Sequence, residues 1–95
     1  MDFGPLIARS AESFGAWLAD VDKRATSDED RGKRLAHKLG AMTERYVSPV
    51  FLAAGIPDGI QRWHDWLESQ PAESMPTAEA IEAELTDIIG EHHGA

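Results

Sequence analysis

Apolar residues recur at helical spacing along most of the chain, and this periodicity constrains the fold more than any other feature. Between residues 3 and 25 they stand three or four positions apart, so they share an arc of about 80° on a helix. No stretch alternates apolar and polar residues at the period of two that is typical of a half-buried strand. The first apolar stripe consists of Phe3, Ile7, Ala11, Phe14, Leu18, Val21 and Ala25. The pattern predicts an all-α protein.

Capping residues, prolines and acidic first turns divide the chain into four predicted helices. Their approximate spans are 5–25, 28–47, 58–70 and 77–89. A chain of 95 residues makes one domain with a thin core. We therefore expect a single domain over residues 1–95 that folds as a compact four-helix bundle, with residues 88–95 as a frayed tail.

Pro49 interrupts the second predicted helix. Because proline lacks an N–H and crowds the preceding turn, it should stop or kink this helix near Val47. A short helical turn should then run from Pro49 to Gly55. Residues 50–52 are apolar on every side of that turn, so we expect it to close one end of the bundle.

The last predicted helix is acidic. Its four carboxylates have no basic residue on the same helix to pair with, and a helix this short and acidic should not be stable alone. It should dock on the bundle, and the basic second helix is the expected surface. The four acidic residues are Glu79, Glu82, Glu84 and Asp87.

The segment 59–69 carries two of the three tryptophans. On a helical projection Trp63 lies at the centre of a core stripe, whereas Trp66 and His64 lie at opposite rims. Their divergence argues against an aromatic cage. We expect Trp63 to be core and His64 to be solvated, and Trp66 is either the edge of the core or an exposed anchor for a partner.

Recognisable catalytic and metal-binding patterns are absent from the sequence. Without cysteine there can be no disulfide, thiolate nucleophile or cysteine-ligated metal site. No H-E-x-x-H, Glu-x-x-His or phosphate-loop spacing occurs, and His92 and His93 are adjacent and would point apart on a helix. We therefore expect a non-enzymatic protein with no metal and no cofactor.

The charge of the chain is polarised. Residues 1–57 hold eight acidic and eight basic residues, whereas residues 58–95 hold nine acidic residues and only Arg62, which gives the net charge of -8. Acidic residues interleave with the basic ones, and the pI is about 4.8, so we expect no direct nucleic-acid binding. No apolar run is long enough for a membrane span and no signal peptide is recognisable, which predicts a cytoplasmic protein without membrane contact. The alanine-rich, lysine-poor composition suggests a bacterial or phage source.

These observations favour a small regulatory or adaptor protein that acts by binding another protein. The chain holds more apolar and aromatic surface than a thin core needs, and Leu6, Trp17 and Trp66 are the predicted partner-binding residues. Self-association is a second form of the same hypothesis, because the apolar steps of the first two helices suit a dimer as well as an intrachain pair.

The alternative is an acidic mimic of a nucleic acid, of the kind that inhibits a basic nucleic-acid-binding protein in phage anti-defence or antitoxin systems. It requires acidic residues ranged along one outer surface: Glu79, Glu82, Glu84, Asp87 and Glu91, extended by Asp58, Asp65 and Glu68. Packing of the last helix against the basic second helix would neutralise them internally. The bases concerned are Arg31, Arg34, Lys38 and Arg45.

Overall fold

Within residues 3–71 and 75–93, which the computed structural model describes, the backbone forms five α-helices, one π-helical turn and no strand. Three of these elements follow one another without a break, so the described chain is organised as four helical segments. The predicted all-α four-helix bundle is confirmed. The elements are α1 (Gly4–Arg24), α2 (Asp28–Met42), the π turn (Thr43–Val47), α3 (Ser48–Ala54), α4 (Gly59–Ser69) and α5 (Ala78–His93).

Helix α1 is the centre of the bundle. It packs most extensively on α5 and also contacts α2, the π turn and α3. Its predicted stripe faces the core, where Phe14 is completely buried. Gly15 allows α1 and α5 to approach closely, because a Cβ at this position would lie 3.0 Å from the Cβ of Ala78. The buried positions of α1 are Ile7, Ser10, Ala11, Phe14, Leu18 and Val21.

Helix α2 has no fully buried residue, and Leu35, Leu39 and Met42 are half-buried against the core. The Ser27 hydroxyl caps it by accepting a hydrogen bond from the Asp30 N–H at 3.0 Å. Three of its bases pair with nearby acidic side chains: Arg31 with Asp22 and Asp28, Lys33 with Glu29, and Arg34 with Asp30. Three of the four lysines and arginines of α2 are therefore paired with acidic residues between positions 22 and 30.

Helix α5 docks on α1 and α4, so the prediction that it lies on basic α2 is wrong. Its isoleucines and Leu85 fit the apolar face of α1, which offers far more burial than the charged surface of α2. The Thr77 hydroxyl accepts a hydrogen bond from the Ala80 N–H at 3.2 Å and caps the helix, as the sequence indicates. The helix continues through His93 rather than fraying from Ile88, which is fully buried; residues 94 and 95 lie outside the described residues.

Of the two predicted outcomes, a stop or a kink near Val47, the helical backbone does not stop at Pro49, and the regular α-helix is interrupted by the π turn that ends at Val47. The backbone passes through the π turn directly into α3, which ends at Gly55 in the left-handed conformation (φ 74°). Val50 and Phe51 are buried, as expected for a segment that closes the bundle, but Leu52 faces solvent. Gly59 lets the start of α4 pack on this segment, because a Cβ there would lie 2.9 Å from the Phe51 ring.

Candidate partner-binding site

An open groove of about 520 Å³ lies beside the π turn, between α3 and the start of α4. Leu52 stands at its edge with 68% of its surface exposed, and no other large apolar side chain of residues 3–71 and 75–93 is exposed. Exposed apolar surface next to a groove is characteristic of a contact site for another molecule. The apolar lining residues are Pro49, Phe51, Leu52, Pro57 and Ile60.

The π turn supplies one wall of the groove and leaves a backbone acceptor beside it. The N–H of Ser48 donates to the carbonyl of Thr43, five residues back, instead of to Glu44. In a π-helical pattern the Glu44 carbonyl would accept from the residue five positions later, but that residue is Pro49, which has no N–H. The Glu44 carbonyl therefore has neither its α-type nor its π-type partner. Glu44, Ser48 and Pro49, the residues around this acceptor, all line the groove.

Two buried hydroxyl groups anchor the π turn to the neighbouring helices. Ser10 of α1 donates to the carbonyl of Tyr46 at 2.5 Å, and Thr43 accepts from the indole Nε1–H of Trp63 in α4 at 3.4 Å. Ser10 is 5% exposed and Thr43 is 2% exposed, and the hydrogen bond between Trp63 and Thr43 is buried whereas that between Ser10 and Tyr46 is part-buried. The wall of the groove is thus fixed from two sides, and π turns of this kind often occur at functional sites.

The ionisable residues that line the groove are Glu44 and His64. Glu44 is exposed, and His64 is half-buried rather than fully solvated. Arg45, the neighbour of Glu44 in the chain, lies with its guanidinium 5.4 Å from the centre of the Tyr46 ring. Glu44 forms no ion pair with any lysine or arginine of the described residues. The groove thus combines an apolar floor with one unpaired carboxylate.

The predicted partner-binding residues Leu6, Trp17 and Trp66 are half-buried and pack against the core. The Trp66 ring lies 5.3 Å from that of Trp63, and Trp17 meets Phe14 edge-on at 5.4 Å. Phe14 in turn meets Trp63 edge-on at 5.2 Å, so the four rings form a continuous row through the core. Trp63 is completely buried, as the sequence indicates. Much of each predicted anchor is thus already engaged within the fold.

Trp17 also lines a smaller cleft between α1 and α2, with a volume of about 190 Å³. Lys38 and His37 stand around it together with Arg24 and Arg34. Two of these bases are already paired, Arg24 with Asp20 at 3.1 Å and Arg34 with Asp30 at 2.8 Å. The hydrogen bond from Arg34 is also the largest factor that lowers the pKa of Asp30, followed by the backbone N–H of Thr26. The cleft is largely a surface of internal ion pairs.

The acidic residues of α5 stay outside the bundle. Glu79, Glu82, Asp87 and Glu91 are exposed, and Arg62 of α4 pairs with Glu91. Glu84 is only half-exposed. Partial burial is the main cause that raises the pKa of Glu84, the charge of Asp87 raises it further, and Arg62 opposes both. Most of the C-terminal negative charge therefore faces solvent.

The sequence interpretation missed Leu52 and Glu44 as residues of a site. On an α-helical projection the buried positions 47, 50, 51 and 54 share one side of α3 and leave an outer arc that holds Ser48, Pro49, Leu52 and Ala53. Leu52 is the one large apolar residue in that arc. A large apolar side chain that shares an outward face with small residues and proline is a candidate for contact with a partner rather than for the core.

Residues 3–71 and 75–93 contain no group of three histidine or acidic side chains placed to hold a metal ion. Within that part of the chain, no helix has both the length and the apolar character needed to cross a bilayer. Comparison with protein-family models, with curated proteins and with solved structures finds no match for this chain. The groove and the charged surfaces themselves are therefore the features that bear on function.

Proposed function

We propose that this chain is a small non-enzymatic adaptor or regulatory protein that binds a partner protein through the groove beside the π turn. The observation that supports this function is the 68% exposure of Leu52 at the edge of an apolar groove. Transfer of a leucine side chain from water into an interface contributes about 1.5–3 kcal/mol to the free energy of binding. Leu52 is therefore the position in the groove that gains most free energy when a partner covers it.

The shape of the groove favours a protein segment over a small metabolite. Small-molecule sites are enclosed and converge several polar groups on the ligand. This groove is open and its lining is mostly apolar, and the π turn beside it is anchored through Ser10 and Thr43. A preformed, rigid wall lowers the entropic cost of docking an extended or helical segment.

Substitution of Leu52 tests the proposal. Leu52→Glu places a charge where the partner should bury an apolar side chain, and the fold should survive because the position is exposed. Ala53→Glu is the matched control, since Ala53 is an exposed neighbour on α3 that does not line the groove. Tagged wild-type protein and both variants are compared in pull-downs from lysate, with partners identified by mass spectrometry and affinities measured on the purified pair.

The proposal predicts a partner that the wild-type and Ala53→Glu proteins retain and that Leu52→Glu loses by at least tenfold in affinity. The partner can be a second copy of the chain, which sedimentation of the purified protein would reveal. Equal binding by all three proteins would exclude the groove as the contact. Recovery of no specific partner, with a monomer in sedimentation, would reject the adaptor function.

A second candidate function is mimicry of a nucleic acid, and the position of α5 favours it. Because α5 packs on α1 and α4, the bases of α2 do not neutralise its acidic residues. Glu79, Glu82 and Asp87 remain exposed, and such a surface could occupy a basic groove on a nucleic-acid-binding protein.

The two functions differ in their response to charge and salt. The triple variant Glu79→Gln, Glu82→Gln, Asp87→Asn removes three exposed charges and leaves the half-buried Glu84 in place. A mimic would lose its partner in this variant and in moderate salt, since exposed charges are screened within about 8–10 Å. An adaptor would lose its partner in Leu52→Glu but not in the triple variant, and its apolar contact would persist in salt.

A further inference from the structure

We infer that the segment bound in the groove carries a positively charged side chain close to an apolar one, with the cation on Glu44 and the apolar group on Leu52. This inference rests on the proposed function, because it names the chemistry of the partner at the same site. Three features of the groove support it: an unpaired carboxylate, an open backbone acceptor and the distance between the two contact points.

Charge complementarity is the first feature. Glu44 is the acidic residue of the lining, no lysine or arginine lines the groove, and Arg45 is turned over the Tyr46 ring. His64 is the remaining ionisable group. The whole chain has a net charge of -8, so its field also attracts cations to this surface. An arginine or lysine of a partner would meet an unpaired carboxylate there, whereas an acidic residue would be repelled.

The Glu44 carbonyl is the second feature. It lacks both helical donors because the Ser48 N–H goes to Thr43 and Pro49 has none. Guanidinium and ammonium groups carry several N–H donors and no acceptor. A cation that pairs with the Glu44 carboxylate therefore has further N–H donors, which the Glu44 carbonyl can accept. An anionic or aliphatic group could not make use of either acceptor.

The spacing of the two contact points is the third feature. Glu44 and Leu52 are eight positions apart along helical backbone, which corresponds to about 12 Å at 1.5 Å per residue. An extended segment rises about 3.3 Å per residue. The cationic and apolar side chains of a bound extended segment should therefore stand three or four positions apart.

Small amphiphilic probes test the inference with the whole protein. The probes are n-octylguanidinium, n-octanol and octanoate, which share an apolar tail and differ in the charge of the head. Amide shifts of Gly40, Glu44 and Leu52 in ¹⁵N–¹H spectra report binding at low ionic strength. The same titrations are run on Glu44→Gln and on Glu79→Gln, which removes the same charge from exposed α5, away from the groove.

The inference predicts that octylguanidinium binds about fivefold more tightly than octanol, the gain of a good exposed ion pair, and that octanoate binds least. Glu44→Gln should abolish the advantage of the cation, and Glu79→Gln should preserve it. Equal binding of octanol and octylguanidinium would overturn the inference and leave the apolar groove intact as a docking site. An equal loss in both variants would assign the preference to the overall charge and overturn the inference. No shift with any probe would overturn the groove as an apolar site, and with it both proposals.

Discussion

The indole N–H of Trp63 donates to the Thr43 hydroxyl at 3.4 Å and joins the core of α4 to the π turn. Both residues are almost completely buried, so neither group has water as an alternative partner. Thr43→Val keeps the shape of the side chain but leaves the indole N–H unpaired. It should lower the free energy of unfolding by about 1–3 kcal/mol, measured by urea denaturation. Thr86→Val, which alters an exposed hydroxyl on α5, should change it by less than about 0.5 kcal/mol.

Gly59 permits the contact between the start of α4 and α3. In Gly59→Ala the new Cβ would lie 2.9 Å from the Phe51 ring and 3.3 Å from Ile88, so the packing must shift. We expect thermal unfolding to show a loss of about 1–3 kcal/mol. The control is Gly32→Ala, since a Cβ at Gly32 meets no atom within 4 Å. That exposed helical position should instead gain up to about 1 kcal/mol. A Gly59→Ala protein as stable as wild type would show that α3 and α4 are not closely packed.

The N-cap at Ser27 should matter mainly to α2. Because α2 packs on the core only through half-buried side chains, its opening should require less free energy than global unfolding. Ser27→Ala removes the acceptor for the Asp30 N–H, at a cost of about 1 kcal/mol. Hydrogen exchange of the α2 amides should accelerate about fivefold, while amides of α1 and α5 keep their rates. A uniform acceleration across all helices would show instead that α2 unfolds only with the whole domain.

The pKa of Glu84 is raised, so its carboxylate disfavours folding at neutral pH. The native state takes up this proton more readily than the unfolded state, whose carboxyl has the ordinary pKa of 4.5. The stability contribution of protonated Glu84 is thus complete below that value and is lost as pH rises through the native pKa. Glu84→Gln should be slightly more stable than wild type at pH 7, by at most about 0.5 kcal/mol, and this gain should vanish below about pH 4. Glu82→Gln controls for the removal of one charge from α5.

Direct titration gives a sharper measurement of the same site. The side-chain ¹³C shift of Glu84 should report a lower pKa in Asp87→Asn, because the neighbouring negative charge is gone. In Arg62→Gln the pKa should rise, because the opposing positive charge is removed. If the pKa of Glu84 were unchanged in both variants, burial alone would account for its rise.

Trp66 contributes to the fold through its ring contact with Trp63. Since Trp66 is half-buried, Trp66→Ala should lower the free energy of unfolding by about 1–3 kcal/mol, less than a fully buried tryptophan would. Trp66→Phe retains an aromatic ring and should lose less. Calorimetry of both variants checks this. If Trp66→Ala is as stable as wild type but loses the partner, the original interpretation of Trp66 as a binding anchor holds instead.

The sequence was a good guide wherever one helix face carries all the apolar residues. The stripe of α1 from Ile7 to Val21 and that of α5 from Ile81 to Ile89 are buried as predicted. It was a poor guide to the partner of α5, because attraction between charges suggested α2. Burial against α1 decided the packing, and the bases of α2 already had acidic neighbours close in sequence.

The groove could not be predicted from the sequence, because it depends on the π turn, which shifts the helical repeat of α3 relative to that of α2. The apolar stripe of α2 ends at Tyr46 and that of α3 begins at Val47, and both residues lie within the π turn. Read as one α-helical pattern, the run 50–52 is apolar in all directions and gives no outward face. Only the π turn, which absorbs one additional residue, turns Phe51 inward and Leu52 outward.

This added residue has a consequence for chain length. A single π turn accommodates one residue more than an uninterrupted α-helix, and each residue of an α-helix turns by about 100°. A related sequence shorter by one residue between positions 43 and 47 would keep the faces of both flanking helices. Its equivalent of Leu52 would still face solvent, but the displaced carbonyl would be gone. Related sequences of different length at this turn would therefore keep the apolar contact at Leu52 and differ in the polar contact at the Glu44 carbonyl.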